Sequence, residues 1–578
     1  MKQFSAKHSI ILCVLTCVAT RADAQTETVP LATQLVANLE ILATQPDAAA
    51  ENVSLATASS KGQTPAPQVR MRWQDFIAGP DGAKRLASLN AAITKMKSLD
   101  SSAPNTPDYR RSWHYWANIH GYYGPQSADG TVAQQIQFLQ DNGLGSYASF
   151  YSTITDQIPP DATAQQIWAT CQHSPNSANI SNFFGWHRMY LYYLERVLRW
   201  AAHDDTLRLP YWDYTDPAHV GLPAEFQTTT STFFDPLRRA GINNGSTTLN
   251  PSSTNVDTRL PEPDYLTFEY GIEQNVHGYV HCTVGPRCPV AHMGDVPVAA
   301  NDPIFYEHHA NIDRIWACWQ NLHPTVAPGP WQNQPFEFVD ETGTPQTQPV
   351  KNFLDSTTLG YVYDNFTNCF RVAPPAPPTN LTATTDAQLR SMSARARAQA
   401  AVLGGTSAVH VDRPLIKVDI NIPRAKLQEW FSKGEGAVPT QLVLRDVTAQ
   451  SPPGVLFDIY IAIKDQPAKE ESAKEGRASR EFVGTISWFG AFRHHGKEPS
   501  KRTLQFDVTS PLRKFADTPN LSGLTVSIEA TTGEVPANPS KADALQRDAA
   551  KAFRPEAKVQ IAAIELTRGF VVPEPQKR

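Results

Sequence analysis

The feature that most constrains this chain is a set of histidines placed inside apolar helical stripes. In Trp113-His114-Tyr115-Trp116-Ala117-Asn118-Ile119-His120, residues Trp113, Trp116, Ala117 and His120 recur at helical spacing. His120 therefore faces a core, whereas His114 falls on another face and reads as structural or exposed. A second stripe joins Phe183, His187, Tyr190, Leu191 and Leu194. Asp302-Pro303 opens a helix, with Asp as cap and Pro in the first turn. Beyond it Phe305, His309, Ile312 and Trp316 share a face, and His308 points about 100° away as a hydrogen-bonding residue. His277 and His281, at i and i+4, share one face and can share a metal. A lone inward histidine is usually a satisfied core residue, but several on neighbouring helices of one domain point to a metal site.

Cys171-Gln172-His173, on the loop before the second stripe, supplies a further imidazole. The result is two groups of three: His120, His173 and His187, then His277, His281 and His309. Imidazole suits copper, zinc, iron and nickel, and spacing favours copper over zinc only modestly. A zinc hydrolase of the H-x-x-x-H kind needs Glu after the first His, and Gly278 stands there. Three-imidazole sites leave a position open for an exogenous ligand, and two facing each other can take O2 between them.

The organisation agrees with an exported protein of more than one domain. Lys2 and Lys7, the apolar run Ile10 to Ala19 and Ala22-Asp23-Ala24 read as a cleaved signal over 1–24, so the protein is expected to be periplasmic or secreted. A polar extension follows over 25–69. Residues 70–372 are dense in aromatics, carry helical signals between long loops and hold twelve of the sixteen histidines. A Pro-rich linker and a linking helix over Asp386 to Leu403 fill 373–413. Alternating segments such as Val455 to Ile461 then predict an all-β sandwich over 414–578. A net charge of −5 argues against nucleic acid as a partner, and beyond the signal no run is long enough to span a membrane. The oligomeric state is not readable.

Phe183 to Glu195 and Asp302 to Asp313 resemble the two copper signatures of the tyrosinases, catechol oxidases and molluscan haemocyanins, the type-3 copper proteins. Leu209 to Tyr214 and the Tyr361-Val-Tyr363 pair extend the likeness across 70–372. The resemblance implies a mainly α catalytic domain, a four-helix bundle holding two copper ions through the six histidines. It implies O2 and a phenolic small molecule as substrates, with o-diphenols leaving as o-quinones. An o-aminophenol oxidase or a haemocyanin-like O2 carrier would use the same ligands. By the same likeness Cys171 is the candidate for a thioether to His173, and Cys282–Cys288 and Cys318–Cys369 then remain as disulfide pairs. One departure is the longer spacing of nine residues between His173 and Phe183.

Three further positions are implied at the reaction centre. Glu273 matches a carboxylate that holds a water near the metals. Gly278 stands where some relatives carry Asn to assist phenol deprotonation, which favours diphenols. Val296 stands where a bulky Phe covers one copper in several plant enzymes, which predicts an open entrance. These two cues oppose each other on monophenol hydroxylation. The C-terminal region resembles the domain that keeps plant polyphenol oxidases latent, with an aromatic between Trp488 and Phe492 as the shielding group.

Overall fold

A computed structural model of the protein describes residues 66–152, 158–173, 182–288, 291–324, 329–366, 369–370, 401–423, 439–464, 480–492, 501–515 and 523–569. The expected signal and most of the extension lie outside these residues. Helices α1 (Gly82–Ser98), α2 (Trp113–His120), α3 (Phe183–Ala202), α4 (Tyr265–Ile272, Glu273–His277 and Gly278–Val284) and α5 (Ile304–Leu322) organise the first region. Their starts follow from short polar side chains. Ser112 caps α2 through the Tyr115 amide at 3.2 Å, Asp264 caps α4 through Thr267 at 3.0 Å, and the Asp302 carboxylate accepts from Ile304 at 3.0 Å. The middle of α4, Glu273–His277, is wound as a π-helix, a local widening common at functional sites.

One buried charge network fixes the relative register of α3 and α5. Asp313 of α5 accepts from Arg188 of α3 at 2.6 Å and from Arg70 at 3.3 Å. Arg70 also reaches Glu195 of α3 at 2.9 Å. Two tyrosines complete the shell of Asp313, Tyr361 at 2.7 Å and Tyr363 at 2.6 Å. They lie on strand β3 (Tyr361–Tyr363), which pairs in parallel with β1 (Gln68–Arg70). These cations hold the Asp313 carboxyl below its ordinary range although burial opposes them. The disulfides Cys282–Cys288 and Cys318–Cys369 close the ends of α4 and α5.

The C-terminal region is β-rich. Strands β4 (Ala401–Thr406), β5 (Leu415–Asn421), β6 (Thr440–Val447), β7 (Leu456–Ile463), β8 (Glu481–Ile486), β9 (Arg502–Asp507), β10 (Gly523–Thr531) and β12 (Ala563–Arg568) form one sheet in the order β8-β7-β10-β5-β4-β12-β6-β9. The sheet curls until its edges meet, Gly484 of β8 lying against the Phe506 ring of β9. The sheet already includes Ala401–Thr406, so the end of the expected linking helix, Ala401 to Leu403, is strand. Pairing with β12 outweighs the helical composition there, and the rest of that segment lies outside the described residues. Short strand β11 (Glu534–Pro536) leaves this region and pairs with β2 (Thr247–Leu249) of the first. Among the described residues no helix is long and apolar enough to cross a membrane.

Asp313→Ala would leave Arg188 and part of Arg70 buried without a counter-charge. Loss of a buried partner of this kind costs about 3–5 kcal/mol. Denaturant unfolding is expected to show a loss of that size, and a loss below about 1 kcal/mol, the surface-pair range, would contradict the role given to Asp313.

Candidate metal centre

The histidine stripes converge on one buried cluster. His187 of α3 and His309 of α5 stack at 4.2 Å between ring centroids with 8° between planes. His120 at the end of α2 lies 5.9 Å from both His187 and His173. On the other side His277 and His281 of α4 lie 4.6 Å apart, and His309 is 5.2 Å and 5.6 Å from them. His173 and His277 face each other across 5.8 Å. All six residues named from the sequence are brought together.

Four of the six rings are oriented through Nδ1. Backbone carbonyls lie beside Nδ1 of His120 (Val296, 3.0 Å), His187 (Phe183, 2.7 Å), His281 (Met293, 2.7 Å) and His277 (Glu273, 3.3 Å). A carbonyl only accepts, so Nδ1 carries the proton and Nε2 presents a lone pair. The Nε2 atoms of His120 and His277 are buried with no hydrogen-bond partner, and those of His281 and His309 approach to 3.4 Å. Burial and the neighbouring rings hold His120, His187, His277, His281 and His309 neutral. His120 is pushed down to about 3, and His187, His277, His281 and His309 lie well below the ordinary value, desolvation being the largest cause in each. Convergent, neutral, unsatisfied imidazole nitrogens are the donor set a metal ion requires.

The other predicted positions occupy distinct places around this cluster. Glu273 lies in the π-helical turn with Oε1 3.1 Å from Nδ1 of His173, a carboxylate–imidazole contact that sets the ring. Val296 contributes its carbonyl to His120. Cys171 is in neither disulfide, and its Sγ lies 3.4 Å from Nε2 of His173 and 3.5 Å from Nε2 of His187. Gly278 sits beneath Ser487 and Phe489 of the C-terminal region. His114 is half-buried on the other face of α2, its amide bonded to Asp100.

Two residues gain a prominence that spacing did not convey. His308 makes the expected side-chain bond, with Nδ1 2.8 Å from the Tyr214 hydroxyl. Its ring nevertheless joins the cluster, parallel to His277 at 5.5 Å with 14° between planes, because α5 is buried on every side. Phe489 follows strand β8 and stacks on His281 at 3.9 Å with 10° between planes. It also lies 5.4 Å from His277 and 6.0 Å from His173. The aromatic run from Trp488 to Phe492 was the only sequence signal for it.

Comparison with known proteins agrees with this geometry. The family model "Common central domain of tyrosinase" matches residues 110–254 and 225–322. Polyphenol oxidase C of Solanum lycopersicum is 28% identical over 324 residues, 48% of this chain and 45% of that enzyme. Tyrosinase HcTyr1 of Hahella sp. (strain CCB-MM4) is 27% identical over 448 residues, 70% of this chain and 82% of that one. The fold is that of solved latent enzymes. Latent aurone synthase superposes with a TM-score of 0.53 at 18% identity, covering 89% of this chain and 92% of the other. Latent apple tyrosinase gives 0.51 at 18% identity, covering 89% and 99%.

Residues 110–322 thus match the central domain of the tyrosinases, and the chain is similar to tyrosinases and polyphenol oxidases. Copper fits the residues present, since the cluster offers soft-to-borderline neutral imidazoles without an obligatory hard oxygen ligand. The match spans about half the length of the tomato relatives.

Glu273→Gln exchanges the carboxylate at His173 for an amide. Loss of such an outer partner is expected to weaken metal binding about 10–100-fold, read by competition with a chelator. Unchanged affinity would exclude a role for Glu273 in setting His173.

Proposed function

We propose that the protein is a copper oxidase that converts o-diphenols to o-quinones with O2. His120, His173 and His187 hold one ion, and His277, His281 and His309 the other. The observation that supports this reading most is the convergence of six imidazoles, four of them tied to backbone carbonyls through Nδ1 so that Nε2 turns into the cluster. Copper, when bound, supplies O2 binding and accepts electrons from the phenol. The protein's own part is orientation and the exclusion of water. Carbonyls of Val296, Phe183, Met293 and Glu273 fix the rings before any ion arrives, so little reorganisation accompanies binding. The Glu273 carboxylate holds the proton of His173 at Nδ1.

Phe489 defines how access is controlled. Its ring lies flat on His281 where a phenol ring would stack, and it is itself buried. The C-terminal region therefore acts as a shield, and the protein as it stands is latent. Its docking is polar as well as apolar: Tyr270 donates to the Thr503 carbonyl at 2.8 Å, Arg259 to Gln505 at 2.6 Å and Tyr279 to Gly533 at 2.5 Å.

O2 uptake by the copper-loaded full chain tests both parts. Phe489→Ala is expected to raise uptake with catechol by about tenfold or more, the factor by which a mostly closed state suppresses activity. His309→Ala is expected to abolish it. Ranking catechol against tyrosine and o-aminophenol identifies the substrate class. Reversible O2 binding without turnover in Phe489→Ala would sink the oxidase reading.

A further inference from the structure

Gly278 poses a question that its backbone does not answer. It lies between His277 and Tyr279 in ordinary helical conformation, φ −62° and ψ −32°. Any residue adopts these angles, and glycine inside a helix is a poor choice, costing about 1 kcal/mol against alanine. The reason must lie in what approaches. A Cβ built on Gly278 would stand 2.6 Å from Oγ of Ser487 and 3.7 Å from Cβ of Phe489. The first distance is far inside van der Waals contact.

The backbone of the approaching segment is held in place. Ser487 is buried, and its carbonyl accepts from Arg502 at 2.7 Å. The same guanidinium lies over the Trp488 ring at 5.2 Å, and Trp488 is itself buried. Arg502 thus clamps both residues that precede Phe489. On the other side α4 is held against the C-terminal region by Tyr270 and Tyr279. Between these anchors Ser487 comes up against the glycine.

We propose that Gly278 is the seat of the shield. Its missing side chain leaves room for Ser487 Oγ while Phe489 lies on the His281 ring, so a side chain at 278 displaces Ser487 and loosens the closed shield. Position 278 then sets latency as well as lying beside a copper ligand. This rests on the shielding reading above. The contact is specific in a usable way. Apart from Ser487 Oγ, the nearest atoms to the built Cβ are the Glu273 carbonyl at 3.5 Å and Phe489 Cβ at 3.7 Å, both ordinary contacts. Removing one oxygen from Ser487 therefore makes room for one methyl at 278, and for nothing larger.

The test uses the copper-loaded full chain and two readouts, amide hydrogen exchange at 487–489 and O2 uptake with catechol. Gly278→Ala is expected to speed exchange at these amides by about tenfold, the scale on which one overpacked methyl opens a local contact. Gly278→Asn opens them further, and uptake rises with each. Ser487→Ala combined with Gly278→Ala is expected to restore both protection and latency, but combined with Gly278→Asn it does not. Protection unchanged in Gly278→Ala, or a double alanine variant as open as the single one, would overturn the proposal. Damage to the helix alone would also leave the double variant unrescued. Failure of the shielding reading is separate: it shows as Phe489→Ala with unchanged uptake, whatever the exchange at 487–489.

Discussion

The structure depends on the contact between Arg188 and Asp313. Arg188 follows His187 on α3, and Asp313 lies one turn beyond His309 on α5. A 2.6 Å ion pair in the protein interior allows these helices only one register, and that register stacks the two imidazoles. Arg70 and the Tyr361–Tyr363 strand surround the same carboxylate, so the chain's first described strand and a strand some 290 residues later are joined to it. Buried ions contribute less to net stability than to uniqueness, because misplacing them leaves a charge without a partner. Here the uniqueness is that of metal-ligand geometry.

What could be read from the sequence divides along the same line. His120, His187 and His309 were legible because a histidine inside an apolar stripe has only one place to point, and the stripes themselves require helices. His277 and His281 were legible from their spacing, even though α4 widens into a π turn that spacing does not register. Glu273 in that turn lies with its carbonyl beside His277 and its carboxylate beside His173. His308 was placed on a separate face, and it does bond Tyr214. Its proximity to His277 was hidden because α5 is enclosed on every side, which a two-sided stripe does not predict. The strand at Ala401–Thr406 was masked by helix-forming composition and appears only when β12, more than 150 residues later, pairs with it.

The two regions are linked through α4. The helix that offers His277 and His281 to the metals also carries Tyr270, Gly278 and Tyr279, which meet the C-terminal region. The histidines and the contacts with the C-terminal region are therefore carried by one helix. The π-helical turn between these contacts lets one short segment serve both, and β11 pairing with β2 fastens the shield beyond the site.

Whether the six histidines form one dinuclear centre is tested most directly by metal analysis of the copper-loaded full chain, freed of loosely bound metal. Two coppers per chain are expected, and one or none when His187 and His309 are both replaced by alanine. A single copper in the unaltered chain, or two retained in the double variant, would contradict a dinuclear centre.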